Sequence, residues 1–502
     1  MEMLSNLLLP FTQPILLFYL AMGTFAGIYI GAIPGLSVTM AVSLLISFTF
    51  SWDLLPAIAL IIGINVGGVY GGSRSAILLN IPGAPAAVAT TFDGYPLAQR
   101  GEAGQAIGVT VVQSFIGGII GTLFLGFGAP LVAEFALKFA PRDYMLLAIM
   151  GLMLVGSLGC ESAARGIFAA AIGVFIGMIG IDMVTGQPRF TFGNVYLMGG
   201  VSYVVAMIGL FGMSEALYQL RDLSVYPVKQ KVDKIIPGWK NVIKYMPLSF
   251  RTSLMGVLVG ALPGTGGDLA ALLAYDHARR TVKKPSAPFG KGAIEGLVAP
   301  ESANNAAIGG AYIPMLTLGI PGDAVTAIII GALTIHGLKP GPLFMTERPD
   351  IFWLMVGGMV IANLFLLIFG FTGIRLFAKI VEIPKQILMP AIIILSVVGA
   401  YSINNSIMDV YWMLGFGVAG YLFKIYKLPL GPVVLGVILS SLLEQNYRRA
   451  VSMAGNTISE FLVDIVTHPI SLVLLIVIVV MIIGQVSSVR KLAKRAKENE
   501  EQ

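Results

Sequence analysis

Charge is what this chain has least of. Only 12% of its 502 residues are Asp, Glu, Lys or Arg, against 56% hydrophobic residues, and the mean hydropathy is +0.86. Soluble domains carry roughly a quarter of their residues charged, so lipid must be the solvent for most of this chain. A single cysteine, Cys160, rules out an internal disulfide framework. The three histidines, His277, His336 and His468, are too scattered to suggest a metal site. No GxxxxGK[ST] phosphate loop, HExxH zinc motif or GxSG serine is found, which argues against ATP-driven work and against hydrolytic chemistry. Period-2 alternation is missing too, so a β-barrel is not expected. Met1 to Asn6 lacks the basic start of a cleavable signal, and the first apolar stretch runs on as a spanning helix. A net charge of +6 leaves no nucleic-acid footprint.

What is abundant is long apolar sequence. Stretches at 14–33, 54–72, 105–137, 143–160, 163–184, 201–218, 352–378, 387–404, 408–425 and 466–486 approach or exceed the 20 or so residues that span a bilayer, and further segments are apolar but broken. The expected fold is an all-α polytopic membrane protein with about 10–12 transmembrane helices. Glycine, at 60 residues, exceeds its usual share of roughly 7% and suits close helix contacts.

Lys and Arg gather in three places: Arg221 to Arg251 with Lys229, Lys231, Lys234, Lys240 and Lys244; Arg279 to Lys291 with Arg280, Lys283 and Lys284; and the tail with Arg490, Lys491, Lys494, Arg495 and Lys497. All three should be cytoplasmic. Residues 252–275 lie between two such loops, so one spanning helix cannot satisfy both. The segment is expected to enter the membrane, break at Pro263-Gly264-Thr265-Gly266-Gly267 and return, as a re-entrant hairpin; a glycine-rich packing helix is the alternative.

The same element occurs twice. Residues 27–35 read GIYIGAIPG and residues 256–264 read GVLVGALPG, a separation of 229 (256 minus 27). Asn80-Ile81-Pro82-Gly83 is matched by Gly319-Ile320-Pro321-Gly322, a separation of 239 (320 minus 81), and that offset also aligns Asn65 with Asn304 and Gly71 with Gly310. The second copy runs into Asp276-His277-Ala278-Arg279-Arg280, the first into Thr49-Phe50-Ser51-Trp52-Asp53 without Lys or Arg, which suggests opposite orientation. Two inverted repeats with broken helices in corresponding positions are typical of secondary transporters; a parallel duplication is the other reading. The expected organisation is a first membrane repeat over 14–218, a basic cytoplasmic linker over 219–251, a second repeat over 252–445, a C-terminal membrane segment over 446–489 and a charged cytoplasmic tail over 490–502.

Each Pro-Gly pair frees backbone groups, and a half-helix N-terminus attracts anions. Pro34, Gly35, Pro82, Gly83, Pro263, Gly264, Pro321 and Gly322, with Ser37, Ser73, Asn80, Thr265 and Asn305, are therefore candidates for substrate binding. Asn65, Thr39, Asp268 and Asn304 are candidates for ion coupling, because oxygen donors bind a cation. Each could instead cap a helix, and the glycines could merely let helices touch. Ionisable residues in apolar surroundings are expensive, which singles out Arg74, Asp93, Asp268, Glu301 and Asp323. Arg74 could bind a substrate carboxylate, end a helix or pair with Asp93. Glu161 and Arg165 read as an intrahelical pair, and Asp182 and Glu215 as interfacial residues.

These motifs resemble a known family. Gly27 to Gly35, YGGSRSAILLNIPGAPAAVATTFDGYPLA (70–98), GALPGTGGDLAALLAYDHARR (260–280) and the long stretch 291–342 are similar to the large membrane subunit of tripartite tricarboxylate transporters, the TctA family, over residues 15–445. The resemblance implies a bacterial inner-membrane secondary transporter, and the apolar spans and basic tail make it multi-pass with a cytoplasmic C-terminus. It also implies work with a small four-helix membrane subunit and a periplasmic solute-binding protein, and uptake of citrate or other carboxylates with co-transported Na+ or H+ and no other cofactor. An elevator-like movement is an expectation by analogy. A passive channel is the second reading, though no ring of charges suggests it. An intramembrane aspartyl protease is the third; Thr265-Gly266-Gly267-Asp268 precedes Tyr275-Asp276, which is the wrong order, and lacks the first glycine of a GxGD element.

Overall fold

In the computed structural model of the protein, the described residues are 2–33, 36–158, 163–182, 186–221, 239–373 and 385–483. Pro34, Gly35, Cys160, Glu161, most of the basic linker and the charged tail lie outside them. The chain is an all-α polytopic membrane protein. Its helices are α1 (Glu2–Thr12), α2 (Pro14–Ala32), α3 (Val38–Thr49), α4 (Leu54–Leu79), α5 (Ala87–Gln99), α6 (Ala103–Ala136), α7 (Pro141–Leu158), α8 (Ala163–Gly177), α9 (Val195–Met198), α10 (Tyr203–Met207) and α11 (Ser214–Gln219). They continue as α12 (Trp239–Gly260), α13 (Gly266–Thr281), α14 (Glu295–Leu318), α15 (Ala324–Ile335), α16 (Phe344–Glu347), α17 (Pro349–Thr372), α18 (Lys385–Asn404), α19 (Ile407–Ile425), α20 (Leu430–Met453), α21 (Ile458–Thr467) and α22 (Pro469–Ile483). The described strands are β1 (Gly180–Ile181) and β2 (Pro188–Arg189), paired antiparallel.

Among the described residues, α2, α4, α6, α17 and α18 (from Gln386) are long and apolar enough to span alone, and α21 with α22, bent by 97°, make a sixth candidate. The apolar stretch at 201–218 folds as α10, a π-helical turn over Ile208–Met213 and α11, and that at 163–184 leaves the helix after Gly177 to enter β1. Periodicity reports that a segment is apolar, whereas these two segments show that length alone does not keep a helix regular. Helix α4 runs through Gly67, Gly68, Gly71 and Gly72 unbroken and stops at Asn80, which takes the left-handed conformation with φ 55°.

The chain forms two compact units. The first comprises Met1–Glu134 and Val204–Tyr426 and holds both copies of the duplicated element. Its helices approach closely where glycine faces glycine: a Cβ on Gly23 would lie 3.2 Å from Gly63 Cα, and one on Gly63 2.7 Å from the Thr24 nitrogen. On α6, Leu123, Phe127 and Leu131 are exposed at helical spacing, the face such a chain turns to lipid. The second unit comprises Phe135–Tyr203 and Lys427–Gln502. Met145, Leu146, Ala450, Phe461 and Ile465 form a core there. Buried Asp143 accepts bonds from Ala140 N (2.8 Å) and Ser471 Oγ (2.5 Å), while Asp182, Arg189, Glu444 and Arg448 make an ion-pair network.

Candidate functional site

The first unit is built from one packing pattern used twice. In the first copy, a Cβ on Gly27 would strike the Ile64 carbonyl oxygen, one on Gly31 the Gly68 carbonyl and one on Gly71 the Ile28 carbonyl. In the second copy, Gly256 meets Ala303, Gly260 meets Ala307 and Gly310 meets Val257, again at the carbonyl oxygens. Each pair maps onto its counterpart through the offsets of 229 and 239 (256 minus 27; 320 minus 81) read from the motifs. Side-chain volume at these glycines would separate α2 from α4 and α12 from α14, so the repeated motif specifies backbone-to-backbone contact.

The two breaks within each copy meet. A Cβ on Gly83 would strike the Gly31 carbonyl and lie 2.8 Å from Gly72 Cα; one on Gly322 would lie 2.6 Å from both the Gly260 carbonyl and Ala311 Cα. Helices α4 and α14 end at the equivalent residues Asn80 and Gly319, both left-handed, with φ 55° and 69°. Helices α12 and α13 pack on one another as arms of a hairpin, as do α2 and α3. The turn between α12 and α13 places Gly264 and Gly266 at φ 76° and 58°, and Thr265 Oγ1 donates to the Leu262 carbonyl at 3.0 Å.

The copies are also interlocked. Ala86 and Ala89 at the start of α5 pack with Ala271 and Tyr275 of α13, and α15 packs on α3. Along the central pair, Asn65 Nδ2 donates to Tyr312 Oη (3.2 Å), Asn304 Nδ2 reaches the Val69 carbonyl (3.5 Å), and Ser73 Oγ donates to Glu301 Oε1 (2.6 Å). As the contacts climb α4 from Asn65 to Ser73 they descend α14 from Tyr312 to Glu301, so the two helices cross antiparallel. A two-fold axis relating equivalent helices that run antiparallel lies across them, which is the geometry of an inverted repeat.

Four helix N-termini thus belong to the breaks. Ser37 caps α3, accepting from Met40 N at 3.0 Å. Asp323 caps α15 in a capping box, accepting from Thr326 N at 2.7 Å while its own N–H donates to Thr326 Oγ1 at 2.9 Å. A Cβ on Gly266, at the start of α13, would lie 3.0 Å from Asp323 Cβ. Asp268, one turn into α13, is exposed yet reaches the backbone N–H of Ala86 at the start of α5. Asn304 Oδ1 lies against Gly267 of the hairpin. Pro82, Gly83, Pro263, Gly264, Thr265, Pro321, Gly322, Asp268 and Asn304 are therefore held at or beside breaks, with Ser37 and Thr39 in the first turn of α3 and Asn65 on the antiparallel crossing.

The side chains of Ser73 and Asn305 both turn to Glu301, Ser73 to its carboxylate and Asn305 to its carbonyl (3.0 Å). Asn80 is an exposed helix end. Arg74 is fully buried and donates Nη2 to the Phe369 and Gly370 carbonyls at 3.1 and 2.9 Å and Nε to Tyr70 Oη at 3.2 Å, so it closes the C-terminal end of α17, where a cation is favoured. Asp93 accepts instead from Tyr275 Oη (2.9 Å) and from the backbone N–H groups of Gly290, Gly292 and Ala293 (2.9, 2.8 and 2.7 Å). Glu215 pairs with Lys424. Sequence reading missed Tyr312 and Ser114; a buried hydroxyl in an otherwise apolar helix was the available signal, and many such hydroxyls only bond their own backbone.

A polytopic chain in which two copies of a broken-helix element interlock across an antiparallel pair has the architecture of inverted-repeat secondary transporters. The chain belongs to the tripartite tricarboxylate transporter TctA family, which matches residues 17–435. It is 36% identical over 481 residues to the uncharacterized 52.8 kDa protein of the TAR-I ttuC' 3' region of Agrobacterium vitis, covering 95% of this chain and 94% of the relative. It is 43% identical over 220 residues to the uncharacterized protein of the TAR-II ttuC' 3' region of the same organism, covering 44% of this chain and 89% of that relative. No solved structure matches it. Family membership makes the chain a transporter subunit.

Proposed function

We propose that this chain is the carrier subunit of an ion-gradient-driven system that takes up citrate-like tricarboxylates or other carboxylates, with its substrate site at the paired breaks. The observation that carries this reading is the convergence of broken helices from both copies, whose half-helix N-termini carry partial positive charge. The two copies differ there in charge. Asp268 and Asp323 of the second copy correspond to Thr39 and Ala84 of the first, by the offsets of 229 and 239 (268 minus 39; 323 minus 84). The neutral first-copy breaks, at Pro34-Gly35, Ser37 and Pro82-Gly83, suit a substrate carboxylate, and the acidic second-copy break with Asp268, Asn304 and Thr265 suits a cation. In this reading the bacterial inner membrane houses the chain, with the basic loops and tail in the cytoplasm. A periplasmic binding protein loads the site and a small four-helix subunit completes the complex.

The test is uptake of radiolabelled citrate and a panel of other carboxylates into proteoliposomes holding the chain with both partners, under imposed Na+ or H+ gradients. Accumulation above the external concentration, abolished by the matching ionophore, supports the carrier and names its ion. Equilibration without accumulation sinks it in favour of a passive channel.

A further inference from the structure

A buried carboxylate lies on α14 beside its crossing with α4. Glu301, in the middle of α14, is 1% exposed and, among the described residues, makes no ion pair. It receives three hydroxyls instead: Ser73 Oγ of α4 (2.6 Å) and Thr90 Oγ1 of α5 (2.5 Å) at Oε1, and Ser114 Oγ of α6 (3.0 Å) at Oε2. All three hydroxyl residues are at most 1% exposed. One turn further along α14, Asn305 is 0% exposed; its Nδ2 donates to the Glu301 carbonyl and its Oδ1 has no hydrogen-bond partner. Asn363 of α17 repeats that arrangement. Its Nδ2 donates to the Met359 carbonyl at 2.8 Å, and its buried, partnerless Oδ1 lies against Gly118, one turn along α6 from Ser114. Neither amide oxygen finds a partner among the described residues, and an unpaired buried acceptor is costly.

We infer that Glu301, Ser73, Thr90, Ser114 and Asn305, with Asn363 beside them, form a binding site for a dehydrated monovalent cation of sodium size. Every free electron pair in the cluster is on oxygen, the donor hard cations take. A hydroxyl that donates its proton to the carboxylate keeps its lone pairs for a metal ion. Charge selects the valence, because one carboxylate neutralises one positive charge whereas a divalent ion would leave a net charge buried. The cluster joins three first-copy helices to α14 of the second, so an occupied site ties the two copies together. The inference deepens the carrier reading by supplying a site for its coupling ion, and rests on that reading only for what the bound ion drives.

The test is equilibrium binding of radioactive Na+ to the purified full-length chain in detergent, in the Asp268→Asn background so that sodium at the breaks does not contribute, with choline holding ionic strength constant. Saturable binding is expected, with loss on adding Glu301→Gln and weakening of about tenfold or more on adding Asn305→Ala or Ser114→Ala, each variant being confirmed monodisperse. Binding that survives Glu301→Gln unchanged, or no saturable Na+ binding in the Asp268→Asn protein, overturns the site. So does stabilisation that depends on pH and not on Na+, which would make Glu301 a proton site. Failure of uptake with this binding intact would count against the carrier and leave the site standing.

Discussion

Ionisable side chains inside an apolar chain answer to different masters, and their partners tell them apart. Arg74 donates to two carbonyls at the end of α17, which favours a part in holding that helix in place over one in binding substrate. Charge-assisted bonds of this kind contribute roughly 1.5–3 kcal/mol each. Arg74→Met should lower the melting temperature and the yield of folded protein while uptake per folded molecule is kept; a selective loss of uptake at normal stability would mean that Arg74 binds substrate. Asn65 and Asn304 sit on the crossing of α4 and α14, Asn304 also against the hairpin. Asn65→Ala and Asn304→Ala should each cut uptake by about tenfold or more at unchanged abundance, because small displacements at a binding site are costly. Arg280→Ala removes only an exposed pair with Asp276 and should stay within about twofold. Similar losses in all three would dissolve the assignment.

At the scale of the element, glycine decides which helices touch. A Cβ on Gly260 would strike the Ala307 carbonyl, whereas Leu258, two residues earlier on the same helix, is exposed. Overpacking costs about 1–3 kcal/mol even where the neighbours can shift, and here the neighbour is backbone. Gly260→Leu should therefore abolish or sharply reduce folded protein, while Leu258→Ala should leave its abundance and melting temperature nearly unchanged; both are read by fluorescence-detected gel filtration. The same physics explains why this part of the fold was legible in the sequence. Gly27, Gly31, Gly71 and their counterparts Gly256, Gly260 and Gly310 are fixed by backbone approach, so the motif survives duplication and announces the contact. The Glu301 cluster gave no such signal. Its hydroxyls come from α4, α5 and α6, 187 to 228 residues before Glu301 in the chain, and nothing in the sequence says that Ser73 and Asn305 turn to Glu301 rather than to the breaks their neighbours Gly72 and Asn304 touch. Arg74 was equally unreadable, since its partners are carbonyls, which every residue has. The π-helical turn at Ile208–Met213 leaves an apolar pattern indistinguishable from that of a regular span.

At the scale of the molecule, opposite ends of the first unit are marked by different contacts. Arg100, at the end of α5, donates to the Gly292 carbonyl in the loop that leads into α14, 3.1 Å away. His336, at the end of α15, faces the backbone of Thr49 at the end of α3, just before α4 begins. Each copy therefore closes on the other copy's loop, and the starts of α4 and α14 lie at opposite ends of an antiparallel pair. If those ends face opposite sides of the bilayer, residues in the loops that lead into the two helices must differ in access. Asp53 precedes α4 and Lys284 precedes α14, and both are exposed. In a Cys160→Ser background, Asp53→Cys should react with an impermeant maleimide added outside intact cells, and Lys284→Cys only after the membrane is opened. The reverse pattern would keep the inversion and move the basic loops outside. Labelling of both from one side would contradict an inverted repeat and return the chain to a parallel duplication, in which broken helices of the two copies could not face each other across the midplane.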